Sequence, residues 1–119
     1  MKIKEQNYKK GRFGEAEAKI FLLNKGYDFI EANFEIDIGE IDLIMSKDEW
    51  LVFVEVKYKS NDLLGLPEEM ITPTKISQVK RVAEIYLMKN PKIKKQFEKY
   101  RLDAVCILGD EIRHYENLY

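Results

Sequence analysis

Cysteine, histidine and tryptophan occur once each in this chain of 119 residues, and proline only three times. A single cysteine makes no internal disulfide, and Cys106 stands within the apolar run Ala104-Val105-Cys106-Ile107-Leu108, where burial is its expected role. His114 has no second histidine and no thiol partner with which to build a zinc site or a Cys/His pair. The sequence therefore argues against zinc and thiol chemistry. Long apolar runs are missing too: nothing approaches the roughly 20 residues needed to span a bilayer. The opening Met1-Lys2-Ile3-Lys4-Glu5-Gln6 has no signal-peptide core. A soluble, cytoplasmic chain with no membrane partner is the expectation.

What is present is 45% hydrophobic and 34% charged residues, enough for one packed core under a solvated surface. Two cores of half this size would each struggle against chain entropy, so a single domain over 1–119 is expected. The net charge of -1 hides an uneven distribution. Residues 1–12 carry five basic residues against one acid, and residues 89–101 six against one, while residues 26–55 carry nine acids against Lys47 alone. An acidic centre with basic arms suits a metal-dependent enzyme on a polyanion, because cations hold phosphates and carboxylates hold the metal. Each arm taken alone reads equally as a solvated helix face.

The patterning alternates between helix and strand periods. Residues 8–25 read as a helix with Phe13, Ala16, Ile20 and Leu23 at helical spacing toward a sheet, and Gly26 as its stop. Three strands are expected over 27–35, 40–46 and 50–59, and their short connections imply an antiparallel meander. Residues 60–71 read as a loop. Thr72 then caps a helix that begins at Pro73 and buries Ile76, Val79, Ala83, Tyr86 and Leu87. A short helix over 92–99 and closing strands at 102–108 and 111–115 complete the order αβββαββ, an α/β chain.

The chemistry concentrates where an apolar strand turns charged. Leu51-Val52-Phe53-Val54 runs into Glu55-Val56-Lys57, and alternation puts Glu55 and Lys57 on one face with Phe53. In the preceding strand Ile41, Leu43 and Met45 share one face, and Glu40, Asp42 and Ile44 the other. With the right register Asp42 sits beside Glu55. Two such carboxylates repel and resist desolvation unless a cation lies between them, and Mg²⁺ prefers this kind of donor. Lys57 is then placed to touch a phosphate or orient the attacking water. From spacing alone, a structural ion pair between Lys57 and either carboxylate fits as well.

The pieces Gly11-Arg12-Phe13-Gly14-Glu15 with Ala18, Gly26-Tyr27, Asn33, Gly39-Glu40-Ile41-Asp42-Leu43-Ile44, Val52-Phe53-Val54-Glu55-Val56-Lys57, Gly65 with Pro67, Lys75, and Arg101-Leu102-Asp103 together resemble the YraN family of bacteria. That family is placed in the PD-(D/E)XK nuclease superfamily with restriction endonucleases and archaeal Holliday-junction resolvases, and the likeness covers nearly the whole chain. It implies a restriction-endonuclease-like core, a mixed five-stranded sheet flanked by helices. It also implies Asp42, Glu55 and Glu15 as ligands of Mg²⁺ (or Mn²⁺), and Lys57 at the attacking water. Leu102 stands where the family often has phenylalanine and Lys59 where arginine is frequent; neither belongs to the metal set.

Helical geometry supports Glu15, whose row continues with Ala18 and Leu22, but Glu17 lines up with Ile20 and Phe21, so geometry alone leaves both open. Glu40 is a further candidate ligand or a turn residue beside Gly39. Tyr8, Lys9, Lys10 and Arg12 are candidates to hold DNA phosphates, as is Lys75, which reads equally as a residue near the start of the second helix. Gly11 and Gly14 each cost a helix up to about 1 kcal/mol relative to alanine, which a close helix-to-sheet approach or an approaching DNA backbone would offset. Tyr58, Tyr86 and Tyr100 are not grouped and read as packing residues.

The expected function is a metal-dependent DNA endonuclease, with branched DNA as a substrate and a homodimer as its assembly. A noncatalytic nucleic-acid-binding or adaptor protein that keeps the fold is the alternative, and a structural domain with a buried ion-pair cluster is a third.

Overall fold

A computed structural model describes residues 3–118, with side chains from Lys9 onward. The elements are α1 (Ile3–Asn24), β1 (Asp28–Ile36), β2 (Gly39–Lys47), β3 (Trp50–Lys59), a 3₁₀ turn (Pro67–Met70), α2 (Pro73–Lys89), α3 (Pro91–Gln96), β4 (Lys99–Leu108) and β5 (Glu111–Tyr115). The five strands form one mixed sheet in the order β1-β2-β3-β4-β5. β1, β2 and β3 are the expected antiparallel meander, β4 runs parallel to β3, and β5 turns back against β4. This is the α/β architecture that the sequence predicts, and it is consistent with a restriction-endonuclease-like core.

The parallel pair explains why the centre of the chain is so apolar. A parallel neighbour requires a crossover, here α2 and α3, and the crossover covers the face opposite α1. Leu51 through Val56 of β3 are therefore buried on both faces. Beneath α1, Ala18 and Leu22 pack on Leu43, Met45, Val52, Val54, Val56 and Val105. Beneath α2, Val79, Val82, Ala83 and Tyr86 pack on Ile41, Ile44, Leu51, Phe53 and Leu102. Strict alternation in β2 would put Ile41 with Leu43. The structure instead packs Ile41 with Ile44, so the pleat is broken at Asp42.

Helix α1 begins five residues before its expected start and presents a different row. Gly14, Ala18 and Leu22 face the sheet, whereas Phe13, Ala16, Ile20 and Leu23 lie on the exposed side. The cause is Gly14. A Cβ there would lie 2.8 Å from the Tyr58 Cβ, so only a glycine lets α1 come this close to β3, and the smallest residues consequently turn inward. The helix ends as the sequence predicts. Gly26 takes φ +90°, its N–H donates to the Leu23 carbonyl, and the Tyr27 N–H donates to the Leu22 carbonyl. This double closure needs a left-handed residue, and it drops Tyr27 beside Leu22 in the core. At α2 the Thr72 side chain accepts from the Lys75 N–H, with Pro73 as the first helical residue.

In the middle of β4, level with Val54, Asp103 is fully buried and satisfied. It accepts from Arg101 Nε at 3.0 Å and from the Asn117 N–H at 3.0 Å, and His114 Nε2 lies 2.8 Å away. Burial alone would raise its pKa, but these hydrogen bonds and the Arg101 charge outweigh it and hold the carboxyl below its ordinary value. The buried His114 and Cys106 thus stay in structural surroundings, and burial pushes the Cys106 thiol up to about 11. Among the described residues no helix is long and apolar enough to cross a membrane.

Candidate active site

The site forms where β2 leaves β3. The ladder between them runs from Lys47↔Trp50 to Leu43↔Val54. One residue beyond, the Asp42 carboxylate, rather than a ladder carbonyl, accepts the Val56 N–H at 2.8 Å. The parting strands open a cleft of about 330 Å³ walled by the first half of α1, the start of α2, β2 and β3. Its lining includes Lys10, Gly11, Glu15, Glu40, Asp42, Glu55, Lys57, Met70 and Lys75.

Four carboxylates converge here. Glu15, Glu40 and Asp42 each bring an oxygen within 4.8 Å of the others. Glu40, the lesser candidate in the sequence, thus stands within this group, while Glu55 lies against Asp42 from the next strand. Glu55 is only 3% exposed and Asp42 7%. Glu55 Oε1 is contacted by Lys57 Nζ at 3.2 Å and by Lys75 Nζ at 3.7 Å. Its other oxygen, Oε2, is buried with no hydrogen-bond partner among the described residues. Burial first, and then the Glu55 charge, push the Asp42 carboxyl up to about 8, against the opposing Val56 hydrogen bond. Glu15 is also raised by burial, although Arg12 and a hydrogen bond from Asn33 pull the other way.

The structure brings Asp42, Glu55, Glu15 and Lys57 to one cleft, together with Lys75 of α2, which the sequence offered as a candidate to hold phosphate. The ion pair that spacing left open exists, on Glu55, and the same lysine still lines the cleft. The basic candidates divide. Lys10 lines the cleft, Arg12 is turned onto Glu15 at 3.2 Å, and Lys9 is exposed but outside the lining. The side chain of Tyr8 lies outside the described residues. The second basic arm is not at the site at all: α3 and Lys99 sit at the Trp50 end, where Lys99 pairs with Glu49 at 2.7 Å. Close packing accounts for Gly14 but not for Gly11, which meets nothing within 4 Å and opens onto the cleft.

Asn33 carries a role that the sequence did not assign it. It holds φ +56° in β1, just past a bulge between Phe29 and Glu31, and reaches Glu15 across the sheet edge. An asparagine in an otherwise apolar-polar strand is the signal that marks it, since this residue tolerates the left-handed conformation better than most.

A buried, mutually repelling group of carboxylates with an unpartnered oxygen, opening to solvent beside three lysines, makes a polar cleft whose donors could hold a cation. Comparison with known proteins gives the family. The model of the Uncharacterised protein family UPF0102 matches residues 14–107. A UPF0102 protein of Syntrophomonas wolfei is 38% identical over 117 residues, covering 95% of this chain and 99% of its own. One of Natranaerobius thermophilus is 40% identical, covering 95% and 98%, and one of Persephonella marina is 36% identical, covering 92% of each. The chain belongs to this family, the YraN family to which its motifs point.

Proposed function

We propose that this protein is a metal-dependent endonuclease that hydrolyses phosphodiester bonds in DNA. The observation that carries the reading is the buried Glu55 Oε2, left without a partner beside an Asp42 carboxyl pushed up to about 8. A structural ion-pair cluster would be neutralised internally. Here Arg12 pairs with Glu15, and Lys57 and Lys75 both contact Glu55 Oε1, yet Glu55 Oε2 is left bare in the cleft.

The donor set is all oxygen and fits Mg²⁺ or Mn²⁺, with Asp42, Glu55 and Glu15 as its holders and Glu40 beside them. When bound, the ion supplies Lewis-acid polarisation of the phosphate and a more acidic attacking water. The remaining work belongs to the chain. Lys57 and Lys75 hold non-bridging phosphate oxygens and stabilise the negative charge that grows on them during in-line attack. Glu55 keeps Lys57 aimed through its Oε1, and the Val56 N–H keeps Asp42 from rotating out of the cleft. Lys10, with its neighbours Lys9 and Arg12, carries the DNA backbone past the first half of α1, where Gly11 presents no side chain. A two-fold pair of chains would match a two-fold branched substrate, so the proposed assembly on DNA is a homodimer.

The test is cleavage of labelled single-stranded, duplex, flap and four-way-junction DNA with Mg²⁺ or Mn²⁺ and a chelator control. Metal-dependent cutting that Lys57→Ala lowers by about 100-fold or more, with an unchanged melting curve, supports the reading. No cutting of any substrate, with salt-sensitive DNA binding that survives Asp42→Ala and Lys57→Ala, would replace it with a noncatalytic binding module.

A further inference from the structure

The crossover layer formed by α2 and α3 is far more positive than the rest of the molecule. Residues 73–97 carry seven basic residues against Glu84 alone, in a chain whose net charge is -1. Lys75 belongs to the cleft and Lys80 is half-buried. The other five, Arg81, Lys89, Lys92, Lys94 and Lys95, are exposed, and among the described residues none of their side chains makes an ion pair, not even Arg81 with Glu84 one turn on. Arg12, Arg101 and Arg113 are by contrast all turned onto carboxylates. The unpaired charges are strung out from the cleft. α2 starts beside it, at Lys75, and its 17 residues run about 25 Å toward the Trp50 end, where α3 follows from Pro91. Near its start a shallow groove of about 380 Å³ lies between α2 and the β1–β2 turn, lined by Ile38, Thr74, Ser77, Gln78 and Arg81. No carboxylate stands in that lining, and hydroxyls with a guanidinium are common holders of a phosphate backbone.

We propose that the outer face of α2 and α3 is a track for the phosphate backbone of a duplex DNA arm leaving the cleft, with Arg81 near its start and Lys92, Lys94 and Lys95 at its far end. The proposal rests on the nuclease reading above and adds to it the route and the length of duplex held. Phosphates follow one another at about 3.4 Å along a strand, so α2 spans about seven of them and the six residues of α3 add two or three. About ten base pairs outside the cleft are therefore engaged. The second basic arm of the sequence, which lies away from the carboxylates, is the distal end of this track. A lipid surface fits the face less well. Among the described residues Met88 is the one large hydrophobic side chain exposed in 73–97, and helices that lie on membranes need several apolar anchors beside their cations.

The test is fluorescence anisotropy in EDTA on labelled duplexes of about 8 and about 20 base pairs, across roughly 50–200 mM salt. Wild type is compared with Arg81→Gln, with the triple variant Lys92→Gln/Lys94→Gln/Lys95→Gln, and with Lys19→Gln, which removes a charge from α1 on the opposite face, where Lys19 lies over the Phe29 ring. All these side chains are outside the cleft lining, and a melting curve confirms that each variant is folded. The slope of log affinity against log salt on the long duplex should become shallower by about 1 for Arg81→Gln and about 2 for the triple variant, and should not change for Lys19→Gln. At about 200 mM salt the triple variant should bind the long duplex about tenfold or more weakly, and the gain in affinity from short to long duplex should shrink with it. Unchanged slopes and an unchanged length gain in both track variants overturn the proposal. So does an equal loss with Lys19→Gln, which would reduce the effect to overall charge, and so does a wild type that binds no DNA. Adding Mg²⁺ to the same mixtures keeps the two readings apart. Binding with the expected slopes but no cutting removes the nuclease and leaves the track, whereas cutting with unchanged slopes does the reverse. Loss of binding to phosphatidylserine vesicles by the triple variant, with its DNA affinity intact, would assign the face to a membrane and overturn the proposal.

Discussion

Replacing Asp42 with asparagine should make the metal-free protein more stable, not less. Burial and the neighbouring Glu55 charge push the native carboxyl from an ordinary value of 3.8 up to about 8. At pH 7 the folded state must therefore take up a proton that the unfolded chain has released, and at 1.36 kcal/mol per pKa unit this costs about 4 kcal/mol. Water in the open cleft screens the charges and brings the expected figure to roughly 2 kcal/mol. The sign is that of a raised pKa: the stabilisation is complete below about 4 and drains away as pH rises to about 8. The asparagine amide is neutral throughout and keeps an oxygen for the Val56 N–H. In EDTA at pH 7 to 8, Asp42→Asn should melt about 5–10 °C above wild type, and the gap should close toward pH 4. Magnesium at tenfold its dissociation constant should add about 1.4 kcal/mol to wild type and nothing comparable to the variant. Calorimetry across pH 4–8, with and without Mg²⁺, reads all of this. A variant less stable than wild type at every pH, and indifferent to magnesium in the same way, would show the carboxylates to be a structural ion-pair cluster and refute the metal-site reasoning.

The two helix glycines should part company. Gly14→Ala forces a methyl to 2.8 Å from the Tyr58 Cβ and should destabilise by about 1–3 kcal/mol, whereas Gly11→Ala has open space and should stabilise by up to about 1 kcal/mol. Thermal melts check both, and fluorescence anisotropy should show weaker DNA binding for Gly11→Ala despite its higher melting point. On β4, Asp103→Ala strands Arg101 and should cost about 3–5 kcal/mol in urea unfolding. Because the Asp103 pKa is depressed, its contribution is present above about pH 4 and is lost as pH falls through the native value, so acid should unfold wild type and the variant at different midpoints.

Local chemistry made much of this molecule legible. Thr72-Pro73 marks the start of α2 because the missing proline amide and the threonine oxygen act within one turn. Gly26 marks the end of α1 for a similarly local reason. Glu55-Val56-Lys57 flags the site because two charges leave an apolar strand on one face. What stayed hidden depends on distant segments. The row Phe13-Ala16-Ile20-Leu23 is as apolar as Gly14-Ala18-Leu22, and only the approach of Tyr58 decides which turns inward. Glu40 joins Glu15 and Asp42 because β2 departs from β3 there, and Lys75 reaches Glu55 because α2 crosses that face. Neither geometry is written in the spacing of either segment.

The parallel pairing of β3 with β4 has a consequence during synthesis. Every residue lining the cleft precedes Lys89, yet the strand that carries Glu55 and Lys57 is bordered on one side by residues 99–108. Trp50 must wait for Lys99, and at about 5–20 residues per second that leaves an apolar strand edge open on the nascent chain for roughly 2–10 s. The strand bearing the chemistry is thus the one most exposed to mispairing, which makes this chain's yield of active protein sensitive to how quickly its last strands emerge.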